Sequence, residues 1–312
     1  MRRALLLPLA LPALTFAQAP EAVSLFGRPL VPVPPAGETK LRLEANLAEA
    51  RAALAADPTS VDKMIWVGRR LAYLGRFQEA IGAFSEAIAM APDNPRPYRH
   101  RGHRYITTRQ FDRAIQDLTR ASQLIAGQPD EIEPDGQPNK FNQPRSTLHF
   151  NIWYHLGLAH YLKGDFAAAL RAYQECMKVS RQNDDSLTAT SDWLYMTLRR
   201  LNRPAEAAKV LEPIRETMDI LENGSYHRRL LMYKGLIQPE SLLDPAGADD
   251  LTIATQGYGV GNYYFYSGQR EKALEIFRQV VAGRQWSAFG YIAAEAELAR
   301  LPSAERRTRG GK

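Results

Sequence analysis

Residues 68–87 read GRRLAYLGRFQEAIGAFSEA and residues 102–121 read GHRYITTRQFDRAIQDLTRA, and these two stretches decide the fold. Five of the positions at which they agree carry the argument, each pair separated by 34 residues: Gly68/Gly102, Phe77/Phe111, Ala80/Ala114, Ile81/Ile115 and Ala87/Ala121. A fixed period of this length is typical of a helical repeat array. Gly68 precedes Ala80 by 12 residues, and Gly102 precedes Ala114 by the same distance. A Gly and an Ala at this spacing let two antiparallel helices approach closely.

The same internal spacing returns further along the chain. Gly157 precedes Ala169 by 12 residues, and Gly261 precedes Ala273 by the same distance. The turns agree with this pattern, because Gly75 and Gly164 stand where a helix ends and a left-handed residue is needed. The sequence therefore predicts a series of helical hairpins with no alternating strand pattern.

The pattern resembles the tetratricopeptide repeat, in which a small residue at position 8 faces an Ala at position 20. The resemblance implies an all-α fold, a right-handed α-solenoid of about five hairpins with capping helices, over residues 38–301. We place the copies at 61–94, 95–128, 150–183, 188–221 and 254–287. The fourth copy is degenerate, with Tyr195 at the small position. Residues 38–56 and 287–301 are predicted as the two terminal caps.

Two inserts interrupt the regular spacing, at about 129–149 and 222–253. Long irregular loops are uncommon in compact domains and often have a function. The second insert contains a predicted short helix at 226–234. The sequence leaves open whether the inserts are lids or spacers.

The two ends of the chain are predicted to lie outside the solenoid. Residues 1–19 have the positive start, apolar run and small-residue cleavage site of a signal peptide, which predicts a periplasmic or secreted protein cleaved near Ala19. A Pro-rich leader follows at 20–37, and a disordered basic tail at 302–312. No apolar run is long enough for a membrane span.

The charge and the cysteine count argue against two classes of protein, those that bind nucleic acid and those that disulfides hold together. The formal net charge of +6 is small and both signs are mixed along the chain, so we expect no nucleic-acid partner. The single cysteine, Cys176, excludes an internal disulfide framework and falls at a core position of the third copy.

The predicted binding surface is the concave groove. In the family that the chain resembles, positions 2, 5, 9 and 12 of each first helix line this groove. We expect a protein or peptide partner, an extended segment with some negative charge, to be bound there. Positions 5 and 9 of the first copy hold Ile65 and Arg69 in place of the Lys and Asn with which some members grip a terminal carboxylate. The leading candidates are Arg69, Arg99, His103, Tyr154, Asp192, Tyr258 and Asn262.

No catalytic, metal or cofactor site is predicted. Glu131, Glu133, Asp135 and Gly136 imitate the opening of a calcium loop, but the twelfth position is Asn142, so a solvated acidic loop is favoured. The stretch 257–261 is interpreted as a helix start. The leading hypothesis is a non-catalytic adaptor. One alternative is an enzyme or small-ligand-binding protein whose site the two inserts enclose, and another is a purely structural solenoid.

Overall fold

A computed structural model describes residues 19–243 and 248–302. The predicted signal peptide and basic tail therefore lie outside the described residues, except for Ala19 and Pro302. The regular secondary structure of the described part is almost entirely helical. Its elements are β1 (Ala22–Val23), β2 (Pro29–Leu30), α1 (Gly37–Ala56), α2 (Val61–Tyr73), α3 (Phe77–Met90), α4 (Pro95–Thr107), α5 (Phe111–Leu124), α6 (Leu148–Lys163), α7 (Phe166–Ser180), α8 (Asp184–Arg200), α9 (Pro204–Val210), α10 (Gly224–Tyr233), a 3-10 turn (Pro239–Leu242), α11 (Asp250–Tyr266), α12 (Arg270–Ala282) and α13 (Phe289–Ala299).

Five hairpins form the body: α2–α3, α4–α5, α6–α7, α8–α9 and α11–α12. The predicted fold class, an all-α solenoid of about five hairpins, is confirmed. The two helices of a hairpin cross closely where Gly occupies position 8. A Cβ added at Gly102 would lie 2.7 Å from Leu118 Cγ, and one at Gly157 would lie 2.7 Å from the Tyr173 ring. The Ala at position 20 has no exposed surface in any copy: Ala80, Ala114, Ala169, Ala207 and Ala273.

Position 15 is left-handed in every hairpin. Gly75, Gly164 and Gly268 have φ between 77° and 85° there, as a helix-ending glycine should. The second and fourth copies hold Arg109 (φ 64°) and Asn202 (φ 56°) at this position, a conformation that costs a side-chain-bearing residue free energy. Arg109 has a tertiary reason to be there.

Arg109 joins the second hairpin to the C-terminal helix α13. The Arg109 guanidinium lies 2.8 Å from the Glu295 carboxylate of α13, and both side chains are buried. The other Glu295 oxygen accepts a hydrogen bond from the Leu25 backbone N–H of the leader, at 2.9 Å. Trp286 donates its indole N–H to the Val31 carbonyl at 2.7 Å and packs edge-on against Phe77. The leader, the second hairpin and the C-terminal helix thus form one buried junction.

Helix α13 has a larger role than the terminal cap that the sequence predicts. It packs on α11 and α12, as a cap does, and it also reaches across the concave side to α6. Phe289, at its start, lies 5.2 Å from His103 and 5.7 Å from His155 between ring centroids. The chain's own C-terminal helix therefore fills part of the groove.

The second insert also packs inward. Its helix α10 lies between α8 and α11, close to the predicted 226–234. Tyr195, at the position that is small in other copies, stacks on Tyr233 of α10 with centroids 4.4 Å apart. The predicted helix start at 257–261 is wrong, because α11 begins at Asp250. Gly259 serves close packing instead, since a Cβ there would lie 2.2 Å from Arg229 Nε.

Candidate functional site

The seven predicted groove residues fall into two groups. Four of them are covered by the chain's own helices: Tyr154, Asp192, Tyr258 and Asn262, each at most 5% exposed. The other three, Arg69, Arg99 and His103, line an open cavity at the start of the solenoid. The structure therefore does not offer a partner the continuous trough that the sequence predicts, because α10 and α13 occupy its deeper half.

The covered group forms a buried polar cluster. Asp192 lies 2.9 Å from Arg229 of α10, with neither side chain exposed. Burial raises the pKa of the Asp192 carboxyl to about 7, while the Arg229 charge opposes that rise. Tyr161 accepts hydrogen bonds from the Tyr258 hydroxyl and the Asn262 amide at 2.7 and 2.9 Å. These side chains join α6, α8, α10 and α11 and have no access for a protein partner.

The open cavity has a volume of about 180 Å³ and lies between α2, α4 and the first insert. A second cavity of about 250 Å³ adjoins it, bounded by the leader and Trp286. The two share Ala72, Tyr73, His103 and Arg104 in their walls. Together they are the part of the concave groove that the chain's own helices leave open.

Arg104 is the residue that sequence reasoning missed. Its guanidinium makes no hydrogen bond and no ion pair with any residue of 19–243 or 248–302, and packs on the Phe77 ring at 5.5 Å. The pKa of Arg104 is lowered to about 10, mainly by burial, and the neighbouring charge of Arg99 acts in the same direction. An unpaired cation in a partly buried position is costly, and such groups cluster at functional sites. Position 10 lies beside the family's groove positions, so only the solenoid's curvature reveals it.

The histidines of the cavity do not add positive charge at neutral pH. Burial lowers the pKa of His103 well below its ordinary value of 6.5, and the charge of Arg104 lowers it further. The same cause, together with Arg99, lowers the pKa values of His100 and His155. The guanidinium groups of Arg69, Arg99, Arg104 and Arg145 supply the cavity's positive charge, against the carboxyl groups of Glu133, Asp135 and Glu222.

The first insert crosses this cavity as an extended segment. Glu133 places its carboxylate 3.0 Å from Arg99 Nε and 3.1 Å from the Asn151 amide, which donates to it. The Arg99 contact is an ion pair without a well-aligned hydrogen bond. Arg69 and Arg70 donate to the backbone carbonyls of Pro134 and Gly136, both at 2.7 Å.

The sequence predicts a solvated acidic loop, but only part of this loop is exposed to solvent. Glu131 is exposed, whereas Glu133 and Gly136 are buried. The Glu133 carboxylate faces cations, which argues against the calcium loop that its spacing imitates. No cluster of three or more potential metal ligands occurs within the described ranges.

Cys176 lies in the core as predicted, where burial raises the pKa of its thiol to about 12.

A curved stack of helical hairpins with a cationic cavity on its concave side defines an interaction scaffold of the α-solenoid class. Two family models, both for the tetratricopeptide repeat, match the chain at residues 67–129 and 150–183. The chain therefore carries tetratricopeptide repeats over these two stretches. No helix in the described ranges is long and apolar enough to cross a membrane.

One curated relative is the Hsp70-Hsp90 organizing protein of Triticum aestivum, 29% identical over 118 residues. The match covers 38% of this chain and 17% of that protein's length. Among solved structures, YrrB, a TPR protein with an unusual peptide-binding site, is 16% identical at a TM-score of 0.43, with 80% of this chain and 97% of YrrB covered. MamA is 14% identical at the same TM-score, with 65% and 99% covered. At these scores the likeness supports no inference about a ligand.

Proposed function

We propose that this protein is a non-catalytic adaptor that holds an acidic, extended segment of a partner protein in the open part of its groove. The segment lies in the two adjoining cavities between the first insert and the leader. The observation that carries the proposal is the Arg104 guanidinium, which lines both cavities and has no counterion among the described residues. We further propose that the adaptor works in the periplasm or outside the cell, as its N-terminal residues suggest.

The electrostatics favour an anionic ligand. Burial destabilises the charged form of Arg104, because water no longer solvates the guanidinium fully. A carboxylate placed beside it would replace that lost interaction. Arg69 also lacks an ion pair with any described residue, since its guanidinium donates to a backbone carbonyl. Hydrogen bonds to charged groups are the stronger ones, at about 1.5–3 kcal/mol each. A partner with one or two carboxylates would thus gain more here than a neutral segment.

The shape favours a chain segment. The two cavities adjoin, and Tyr73, Phe77 and Trp286 are among the residues that line them. Aromatic and Arg side chains are the types that dominate binding energy at interfaces. The partial match to the Hsp70-Hsp90 organizing protein is consistent with an adaptor role.

Cross-linking can locate the partner. A photo-reactive amino acid replaces Val33 of the leader, which is exposed and lines the second cavity, and in a matched control it replaces Gln116, exposed on α5. We expect one partner segment to cross-link from position 33 and not from 116. Equal labelling from both positions would contradict groove binding.

The recovered segment is then synthesised and titrated against wild type, Arg104→Ala and the control Arg171→Ala, an exposed arginine on α7. Arg104→Ala should weaken binding about 10–100-fold, which corresponds to the loss of one charged hydrogen bond. Its melting temperature should stay equal or rise, because the folded state no longer buries an unpaired charge. Loss of stability with unchanged affinity would show that Arg104 has a structural role only.

A small anionic ligand is the second candidate, favoured by the first insert, which lies over the cavity through Glu133 and Pro134. It predicts a different result in the same experiment. No peptide would cross-link from position 33, and a low-molecular-weight dicarboxylate would raise the melting temperature of wild type but not of Arg104→Ala.

A further inference from the structure

The first insert binds to the groove in the manner of a peptide ligand. One side chain of the segment, Glu133, enters the site as a carboxylate, while its next residues are held by their backbone carbonyls. This combination of backbone hydrogen bonds and one specific side chain is how extended peptides are recognised. Arg69 and Arg99, two residues that the sequence assigns to partner binding, are both engaged by it.

We infer that residues 130–137 are an intramolecular occupant of the groove, and that a partner binds by displacing them with an acidic segment of its own. This inference rests on the proposed function and names the chemistry of the partner. The partner segment carries two carboxylates, of which one replaces that of Glu133 and the other pairs with Arg104.

The segment can leave without disturbing the repeats. Within the first insert it is held by a bridge between Ile132 and Thr147, and by the hydrogen bond from the Glu133 N–H to the Ser146 carbonyl, and these open when it leaves. The contact of the first insert with the second, from the Asn139 amide to Glu222, is exposed. A segment that belongs to no repeat can open locally, at a free energy below that of global unfolding.

Departure alone would leave the site unsatisfied. Arg99 is buried, and His100 lies 3.7 Å from the same carboxylate as a close neighbour. A buried charge whose partner is removed is strongly destabilising, so an open and empty site is disfavoured. A ligand that supplies a replacement carboxylate restores the pair. The exchange therefore selects acidic partners over neutral ones.

The partner must also exceed the advantage of the tethered segment. A short tether gives an intramolecular ligand an effective concentration in the millimolar range. Glu133 leaves the neighbouring Arg104 without a counterion, so a partner that reaches both cations makes one charge pair more than the insert does. This second pair supplies the affinity that displacement requires.

The test uses the insert's own sequence as the probe. A fluorescent, end-capped peptide of residues 130–137, DEIEPDGQ, is titrated against wild type and Glu133→Gln. We expect Glu133→Gln to bind the peptide at least tenfold more tightly than wild type, because its groove no longer holds the competing carboxylate. A peptide with Gln at the position of Glu133 should bind neither protein.

The matched control is Glu131→Gln, two residues away on the same segment, where the side chain is exposed. It should bind the peptide as weakly as wild type. If folded Glu133→Gln takes up the peptide no better than Glu131→Gln, then Glu133 is a structural tie and the inference is overturned. That result leaves the cross-linking from position 33 and the effect of Arg104→Ala unchanged, so the failure of the two proposals can be told apart.

A second measurement needs no variant. Hydrogen exchange of wild type is followed at the amide of Glu133, with and without several millimolar peptide. Displacement should speed its exchange at least tenfold, while amides of α6 stay protected. Unchanged exchange at saturating peptide would overturn the inference even if Glu133→Gln does not fold.

Discussion

Replacing Arg109 by Gly will destabilise the protein, although it removes a strained backbone conformation. Arg109 has φ 64° at the position where three of the five hairpins have Gly. A residue with a side chain costs roughly 1–2 kcal/mol in this region, and Gly adopts it freely. The backbone alone would therefore favour Gly by about 1 kcal/mol.

The tertiary contacts outweigh this gain. Arg109 pairs with Glu295 at 2.8 Å, with side chains 3% and 0% exposed, and also donates to the Thr107 and Trp286 carbonyls. Removing one partner of a buried pair costs roughly 3–5 kcal/mol, because the other charge stays buried. The net loss is then about 2–4 kcal/mol, or a melting temperature lower by about 5–12 °C for a domain of this size.

Asn202→Gly is the matched control. Asn202 occupies the equivalent position of the fourth hairpin with φ 56°, and its side chain is exposed. The same replacement there should leave stability unchanged or raise it by about 1 kcal/mol. Thermal and urea unfolding, followed by circular dichroism, measure both. If both variants gain stability, the ion pair between Arg109 and Glu295 does not stabilise the fold.

Three further predictions test the packing, the titration and the export. Gly102→Ala should cost about 1–3 kcal/mol because its Cβ would meet Leu118 at 2.7 Å, whereas Gly82→Ala, with open space, should gain about 0.5–1 kcal/mol; equal melting shifts would contradict the repeat register. The pKa of His103 is lowered in the folded state, so the stability that its neutral ring supplies is complete above about pH 7 and lost as pH falls below 6.5. Between pH 7.5 and 5.5, the free energy of unfolding in urea should fall by about 1.4 kcal/mol more for wild type than for His103→Gln. Equal decreases in the two proteins would exclude this contribution of His103. Mass spectrometry of the native protein recovered outside the cytoplasm should find Pro20, or a residue near it, at the N-terminus, and an intact Met1 would refute the signal peptide.

The sequence by itself determined the hairpins. A Gly at position 8 and an Ala at position 20 define a close helix crossing, and this contact depends only on residues within one 34-residue unit. The same local logic identified the left-handed turns at Gly75 and Gly164 and the buried position of Cys176. It could not identify Arg109, because a non-glycine residue in a left-handed turn is stabilised by a partner 186 residues away.

The tertiary structure decided which part of the groove stays open. The sequence placed Tyr154, Asp192, Tyr258 and Asn262 on the concave face, and they do lie on first helices, but α10 and α13 cover them. This covering depends on the curvature of the whole stack, which sums the rotation between successive hairpins and brings distant segments together. The same curvature turned Glu133 from an apparently solvated acid into a buried partner of Arg99. Contacts of this kind are set by the summed geometry of the repeats, and no single repeat contains the information.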